Sequence, residues 1–364
     1  MDKKKNKKLS KSSKSEDARE STNTSQSAPV FRIKVWGARG SLPAPASPDS
    51  LDKQIREILL EFLEWNGRRK GNGKSEKAGL DVIDKFCLET PRHKLGGYGG
   101  NTPCVEVKSP GQQLIIDAGS GIRNLGYELM AGPCGKGQGE VHILFTHFHW
   151  DHLIGLPFFT PLFIPGNKIH VYSVQPDLKN VFQMLFKKPY FPVPFERLAA
   201  KIEFHTLLPR VSRPFGDIQV TPYELDHPDP CWGYKMVSGG KAFSHCVDTE
   251  CVRVLPRELG PDLPLYQGVD LMLFDAQYTL METIDKVNWG HATASLGLDI
   301  AMRERVKRMV FIHHDPASTN DKIAAAEKQA RVYYQNQLKH AREVEPVLYE
   351  VDWQFGYEGM ILEV

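Results

Sequence analysis

The chain has 364 residues, of which 41% are hydrophobic, and a formal net charge of +2. That supplies enough apolar material for one large core, or for one domain with appendages. The balanced charge argues against a dedicated, uniformly basic nucleic-acid binder, and no segment approaches the roughly 20 apolar residues of a membrane helix.

Residues 1–28 are almost wholly Lys, Ser, Thr, Asn, Gln and Glu. Such a stretch cannot bury enough apolar surface to offset its ordering entropy, so the expectation is a disordered tail. It holds seven Lys and one Arg against four acids, a local excess of +4. A solubilising tail is the favoured reading over an RNA or membrane-surface tether. The tail has no apolar stretch of secretory-signal length, which points to the cytoplasm.

Residues 29–364 read as one domain. Order begins at 30–36, which alternates like a strand and is ended by Gly37, Gly40 and Pro43. Residues 48–92 read as a helical insertion. Its stripe of Ile55, Ile58, Leu59, Phe62 and Leu63 is expected to pack on the body, with a lid or a homo-oligomer contact as the alternative. The polar stretch 66–77 follows that stripe. From Gly96 onward, strands are expected at 102–107, 113–116 and 141–146, and helices at 177–186, 294–304 and 320–340. Strands alternating with a few helices indicate a layered α/β fold. Cys87, Cys104, Cys134, Cys231, Cys246 and Cys251 form no C-x-x-C pair, which argues against a disulfide framework.

The chemistry concentrates where the 141–146 strand ends, at His147-x-His149-x-Asp151-His152. Four donors within six residues, on a tight loop leaving an apolar strand, converge on a point as a metal requires. Imidazole and carboxylate suit Zn²⁺, and also Mn²⁺ or Fe²⁺. A chance cluster of surface histidines would have no reason to follow a buried strand. Four residues do not complete two metal sites. Further candidates stand near strand ends at Asp226-His227-Pro228, Asp248-Thr249-Glu250 and His313-His314-Asp315.

This ordered set resembles the metallo-β-lactamase superfamily, and within it the ribonuclease Z and cyclic-phosphodiesterase-like branch. The segments Trp36-Gly37-Ala38-Arg39-Gly40-Ser41, Tyr98-Gly99-Gly100-Asn101-Thr102, Ile116-Asp117-Ala118-Gly119-Ser120-Gly121 and Trp289-Gly290-His291-Ala292-Thr293 look like that branch too. The resemblance runs from about Phe31 to Val364, apart from much of 48–92. It implies a four-layer αββα sandwich binding two divalent metal ions; the His-rich donor set favours zinc, with manganese as the competitor. One metal would be held by His147, His149 and His227, the other by Asp151, His152 and His313, with Asp248 bridging. Asp117 would steady the loop, and of the pair His313 and His314 the pattern selects His313.

The activity implied is hydrolysis of a phosphodiester through a metal-bridged hydroxide, since two cations about 3.5–4 Å apart lower the pKa of a shared water. Asp151 and His291 are the catalytic candidates, His291 as the general acid for the leaving oxygen. The competing role for His291 is structural, beside a helix cap at Thr293 or Ser295. Asp275 is a candidate to orient His291 or a ligand, against a simple turn-forming role. Ribonuclease Z enzymes typically carry a long substrate-grasping arm between the residues matching His227 and Asp248, which here are only 21 apart. A small or cyclic phosphodiester is therefore favoured as the substrate over transfer RNA or other nucleic acid. An ester or lactone hydrolase of the same fold is an alternative. A catalytically silent binding module would have lost ligands, yet all seven positions are filled.

Overall fold

The computed structural model describes residues 29–70, 79–343 and 348–364. The tail expected at 1–28 lies outside the described residues. Among the described residues, fourteen strands form two seven-stranded sheets. The first sheet contains β1 (Arg32–Gly37), β2 (Cys104–Lys108), β3 (Gln113–Ile116), β4 (Glu140–Leu144), β5 (Lys168–Ser173), β6 (Lys201–Thr206) and β14 (Ile361–Glu363). The second contains β7 (Arg213–Phe215), β8 (Ile218–Glu224), β9 (Trp232–Ser238), β10 (Lys241–Cys246), β11 (Leu271–Asp275), β12 (Arg308–Ile312) and β13 (Asp352–Phe355). The spatial orders are β14-β1-β2-β3-β4-β5-β6 and β13-β12-β11-β10-β9-β8-β7. In each sheet one half is antiparallel, and β3 to β6 and β10 to β13 run parallel.

Three apolar layers explain the stacking. Ile33, Val107, Leu144 and Tyr172 of one sheet meet Phe243, Leu273 and Val310 of the other. The outer face of the first sheet, with Ile143 and Val171, packs beneath the helices Ile122–Met130 and Leu178–Leu185. The outer face of the second, with Met272, Phe274 and Phe311, packs beneath Ala294–Glu304 and Asn320–Glu343. Helices cover sheets and sheets cover each other: this is the four-layer αββα sandwich. Covering on both faces is why Leu271-Met272-Leu273-Phe274 is a continuous apolar run rather than an alternating one.

Among the described residues, the segment expected as an insertion contains the helices Pro48–Lys70, Leu80–Glu89 and Arg92–Leu95. The expected apolar stripe is corrected here: Ile55, Leu59 and Leu63 are exposed rather than packed on the body. The first helix instead turns Phe62 and Trp65 toward Phe86 of the second, with ring centroids 5.3 and 5.6 Å from Phe86. It also runs through Asn66 to Lys70, and the rest of the polar stretch, 71–77, lies outside the described residues.

The strands β4, β10, β11 and β12 all deliver their C-terminal ends to the same edge of the sandwich. In α/β sheets that edge is where ligands bind, because the loops leaving parallel strands diverge there.

Candidate metal centre

β4 ends at Leu144 and the chain enters a tight loop, with a short turn of helix at Trp150–His152. Asp117, at the end of β3, organises this loop from beneath. Its carboxylate accepts hydrogen bonds from the Thr146 amide at 2.8 Å and the Thr146 hydroxyl at 2.9 Å, and meets His152 Nδ1 at 2.8 Å. From the second sheet, the Trp232 amide donates to the Thr146 carbonyl, and the Tyr234 hydroxyl donates to the Phe145 carbonyl.

The loop meets the ends of the second sheet's strands, and two groups of donors that include its residues result, beside a third of Asp248, Asp275, His291 and His313. His147, His149, His227 and Asp248 form one; Asp151, His152, Asp248 and His313 form the other. Asp248 belongs to both. Its Oδ2 lies 3.0 Å from His152 Nε2 and 3.3 Å from His147 Nε2, and its Oδ1 lies 3.0 Å from His313 Nε2. Asp151 Oδ2 lies 3.2 Å from His313 Nε2 and 3.3 Å from His152 Nε2, and accepts from the Ser41 amide at 2.8 Å. His314 turns the other way: its Nε2 meets the Gly356 carbonyl at 2.8 Å and its ring stacks on Phe355.

Four of the five histidines of the set are tied from outside through one nitrogen, which fixes the ring and leaves the other nitrogen for the site. His152 is held through Nδ1 by Asp117, and His227 through Nδ1 by the Asp229 carbonyl at 2.8 Å. His149 is held through Nε2 by the Asp229 carboxylate at 2.9 Å. His147 Nδ1 meets the Thr146 hydroxyl at 3.1 Å, whereas His313 Nδ1, 3.6 Å from Asp275, is buried without a hydrogen-bond partner. Nε2 of His147, His152 and His227 and Oδ1 of Asp248 are buried without a hydrogen-bond partner. Buried polar atoms are costly when unsatisfied, so a convergent set of them fits a cation.

The electrostatics fit as well. Burial pushes the Asp248 carboxyl up, but His313 and His152 outweigh it and hold it well below the carboxylate range. Burial opposes protonation of His152 and His313, yet Asp248 and its neighbours raise both, His313 to about 10. Cationic charge therefore suits this position beside Asp151 and Asp248, and a divalent ion would supply it. His147 and His227 are pushed down, mainly by burial, and stand neutral as nitrogen ligands must.

Backbone strain marks the same edge. Asp117 (φ 61), Asp248 (φ 65) and His313 (φ 68) all adopt left-handed backbone, which non-glycine residues rarely do without a surrounding structure that enforces it. Two glycines make room for the rings. A Cβ on Gly40 would fall 2.5 Å from His313 Cε1, and one on Gly290, itself at φ +84, would fall 2.2 Å from His227 Cδ2.

A family model described as "Beta-lactamase superfamily domain" matches residues 112–314, more than half of the chain. The chain belongs to the β-lactamase superfamily. Its ribonuclease Z-like branch is supported by curated relatives. The ribonuclease Z of Azobacteroides pseudotrichonymphae is 25% identical over 63% of this chain and 92% of its own length. That of Clostridium perfringens is 25% identical over 49% of this chain, and the match spans only 60% of that protein. Among solved structures, the metallo-β-lactamase fold protein YhfI from Bacillus subtilis superposes with TM-score 0.56 at 14% identity, covering 92% of this chain and 99% of that one. Human tRNase Z, short form, superposes with TM-score 0.52 at 15% identity, covering 91% and 98%. This superfamily fold implies divalent metal ions, and the donor set described above fits them.

His291 and Asp275 lie at the rim of the second donor group. His291 Nδ1 meets Asp275 Oδ2 at 2.8 Å, and its ring centroid is 4.9 Å from that of His313. Asp275, fully buried, also accepts from the Asp248 amide at 3.2 Å and the Ala292 amide at 3.3 Å. The helix cap that competed for the segment is Thr293, whose hydroxyl accepts from the Leu296 amide. Sequence reasoning passed over Asp229, two residues beyond His227. The donor-rich run Asp226-His227-Pro228-Asp229 was the available signal.

Proposed function

We propose that this metallo-β-lactamase-fold hydrolase is a binuclear phosphodiesterase whose substrate is a small or cyclic phosphodiester. His147, His149 and His227 would hold one divalent ion and Asp151, His152 and His313 the other, with Asp248 within reach of both donor groups. Zinc is the favoured ion because five of the seven ligands are imidazoles. Divalent ions bound there would supply an acidified water as nucleophile and neutralise charge on the phosphoryl oxygens.

The rest of the chemistry falls to the chain's own side chains. Asp275 accepts the Nδ1 proton of His291, which fixes the ring and leaves Nε2 free to carry a proton. An ester leaving oxygen positioned at His291 Nε2 takes that proton as the P–O bond breaks. Asp117 and Asp229 hold the ligand rings in place through the turnover.

The observation that carries the choice of substrate is the segment between His227 and Asp248. It is filled by the hairpin of β9 and β10, turned at Gly239-Gly240, and contains no substrate-grasping arm. A binuclear edge without an arm favours a small substrate. Trp150, within the histidine loop, and Trp289, two residues before His291, are both exposed. Flat rings beside the site favour a base-bearing phosphodiester, since bases stack on aromatic faces.

A second reading is transfer-RNA 3′-end cleavage, supported by the ribonuclease Z relatives. Metal-reconstituted protein assayed against cyclic nucleotides, linear dinucleotides, transfer-RNA precursors and lactones separates the two. The proposal expects the highest kcat/KM among the small phosphodiesters. Preferred cleavage of the precursor at its 3′ end, or of the lactone, overturns it.

A further inference from the structure

A second group of histidines lies away from the strand-end centre. His142, His170 and His205 come from the adjacent parallel strands β4, β5 and β6. Register sets His142 beside His170, His170 beside Glu203, and Tyr172 beside His205. The period of two along each strand places these side chains on one face. That face is turned to the other sheet: Tyr172 joins the inter-sheet core, and Phe215 of β7 packs edge-on against both Tyr172 and His142. Because β6 is the outer strand of its sheet, the group sits where the sandwich opens to solvent.

We infer that His170, Glu203 and His205 form a separate transition-metal site at this open edge, suited to Zn²⁺. His170 Nδ1 lies 3.1 Å from His205 Nε2 and 3.4 Å from Glu203 Oε2. A tetrahedral zinc ion with bonds of about 2.0–2.2 Å spaces its donors by about 3.3 Å. The three donor atoms all fall within 4.8 Å of one another.

The surroundings of these donors have the form of a metal site's supporting shell. The other nitrogen of His170, Nε2, is buried without a hydrogen-bond partner, 3.2 Å from Glu140 Oε1. The other oxygen of Glu203 is paired with Lys201 at 2.6 Å. His142 stacks on His170 with centroids 4.8 Å apart and planes 12° from parallel, and its Nδ1 meets the Tyr172 hydroxyl at 3.0 Å. Arg213, over the Tyr172 ring, and Lys201 are the nearby cations, and Glu140 and Glu203 offset them.

Two imidazoles and one carboxylate select zinc-like ions over magnesium or calcium, and leave a fourth position for water. A hydrogen bond between neutral imidazoles also explains a 3.1 Å nitrogen pair. That bond gives no role to the Glu203 oxygen or to Glu140 behind His170. A bound ion uses all four groups. It ties the outer strand β6 to β5, at the sheet edge whose unpaired backbone is otherwise open to pairing with another chain.

The test uses the full-length chain, stripped of metal and equilibrated with micromolar free Zn²⁺. Wild type is expected to hold one zinc ion per chain more than Glu203→Gln or His205→Ala. The same one-ion difference is expected between His147→Ala and the double variant His147→Ala/His205→Ala, so the result stands apart from whatever the strand-end centre binds. Zinc-edge anomalous diffraction from wild-type crystals grown with Zn²⁺ should give a peak between His170 and His205, a readout that survives even if a variant fails to fold. Equal zinc content in folded wild type and variants, or no anomalous peak there, overturns the site and leaves a hydrogen-bonded histidine pair.

Discussion

The two histidine groups of this molecule lie on the same pair of sheets and differ in what surrounds them. At the strand-end centre His147, His152 and His313 are fully enclosed, two buried carboxylates face them, and left-handed backbone at Asp248 and His313 aims the donors inward. At the open edge the rings project from regular parallel strands and are half-buried, and their carboxylates reach solvent. The first arrangement carries strain and buried charge that a fold tolerates only where the surrounding structure enforces them. The second is built from strand alternation alone. The contrast teaches that a donor set for chemistry needs loops leaving several strands, whereas a donor set for bracing needs only register.

The sharpest break in that comparison is at Asp248. Asp248→Ala removes the one carboxylate shared by both donor groups. The expected outcome is loss of bound metal at the strand-end centre, with turnover falling to the level of the metal-stripped protein. Metal analysis alongside an assay on a small phosphodiester checks this, and retained turnover with metal lost would remove the binuclear model.

A smaller effect is expected at His291. His291→Ala should lower kcat by about 10²–10⁴-fold on substrates with poor leaving groups, and by much less on activated aryl phosphodiesters. Equal losses on both substrate types would assign His291 a structural role. Asp275→Asn should follow the same pattern more weakly, because it leaves the ring in place but loosens its tautomer.

Asp117 tests whether the outer ties matter as the geometry implies. Asp117→Ala should weaken metal affinity by about 10–100-fold, with kcat largely restored at saturating metal. A competition titration with a chelating dye reads the affinity. An unchanged affinity would mean that the Thr146 and His152 contacts are incidental.

The mildest prediction concerns acid. Burial lowers His142 and His245 to about 4 and His314 to about 3 in the folded protein. Their unfolded counterparts titrate near 6.5, so the unfolded chain takes up protons first. The stability linked to these neutral rings is complete above that value and is lost progressively as pH falls toward 4. Thermal unfolding of metal-stripped protein at pH 7.5 and 4.5 should show the decline. His245, with neither ring nitrogen hydrogen-bonded, is the ring to remove. His245→Leu should flatten the pH dependence, and an unchanged slope would exonerate it.

Much of the centre was legible in the sequence because each ligand motif directly follows an apolar strand. The run Val141-His142-Ile143-Leu144 announces its own end, and the donors after it are close enough to be read as one group. The helix Ala294–Glu304 is bounded as expected because its cap chemistry is local. The helix Ile122–Met130 was missed, since Gly126 and its short apolar face speak weakly for a helix. The stripe at 48–70 was misjudged because periodicity reports a face but not its partner. Here the partner is Phe86, and only the Phe62 and Trp65 side meets it.

The sequence by itself therefore determined the ligand types and the strands that present them, because donor chemistry and strand alternation are local properties. The resemblance had implied Asp248 as the bridge, and the tertiary structure decided its geometry, 3.0 Å from both His152 and His313. It also decided that Asp229 braces His149 and His227 together, and that His170, Glu203 and His205 share a face. Those outcomes depend on which strands become neighbours and in what register, and that is fixed by burial across both sheets rather than by any short stretch of chain.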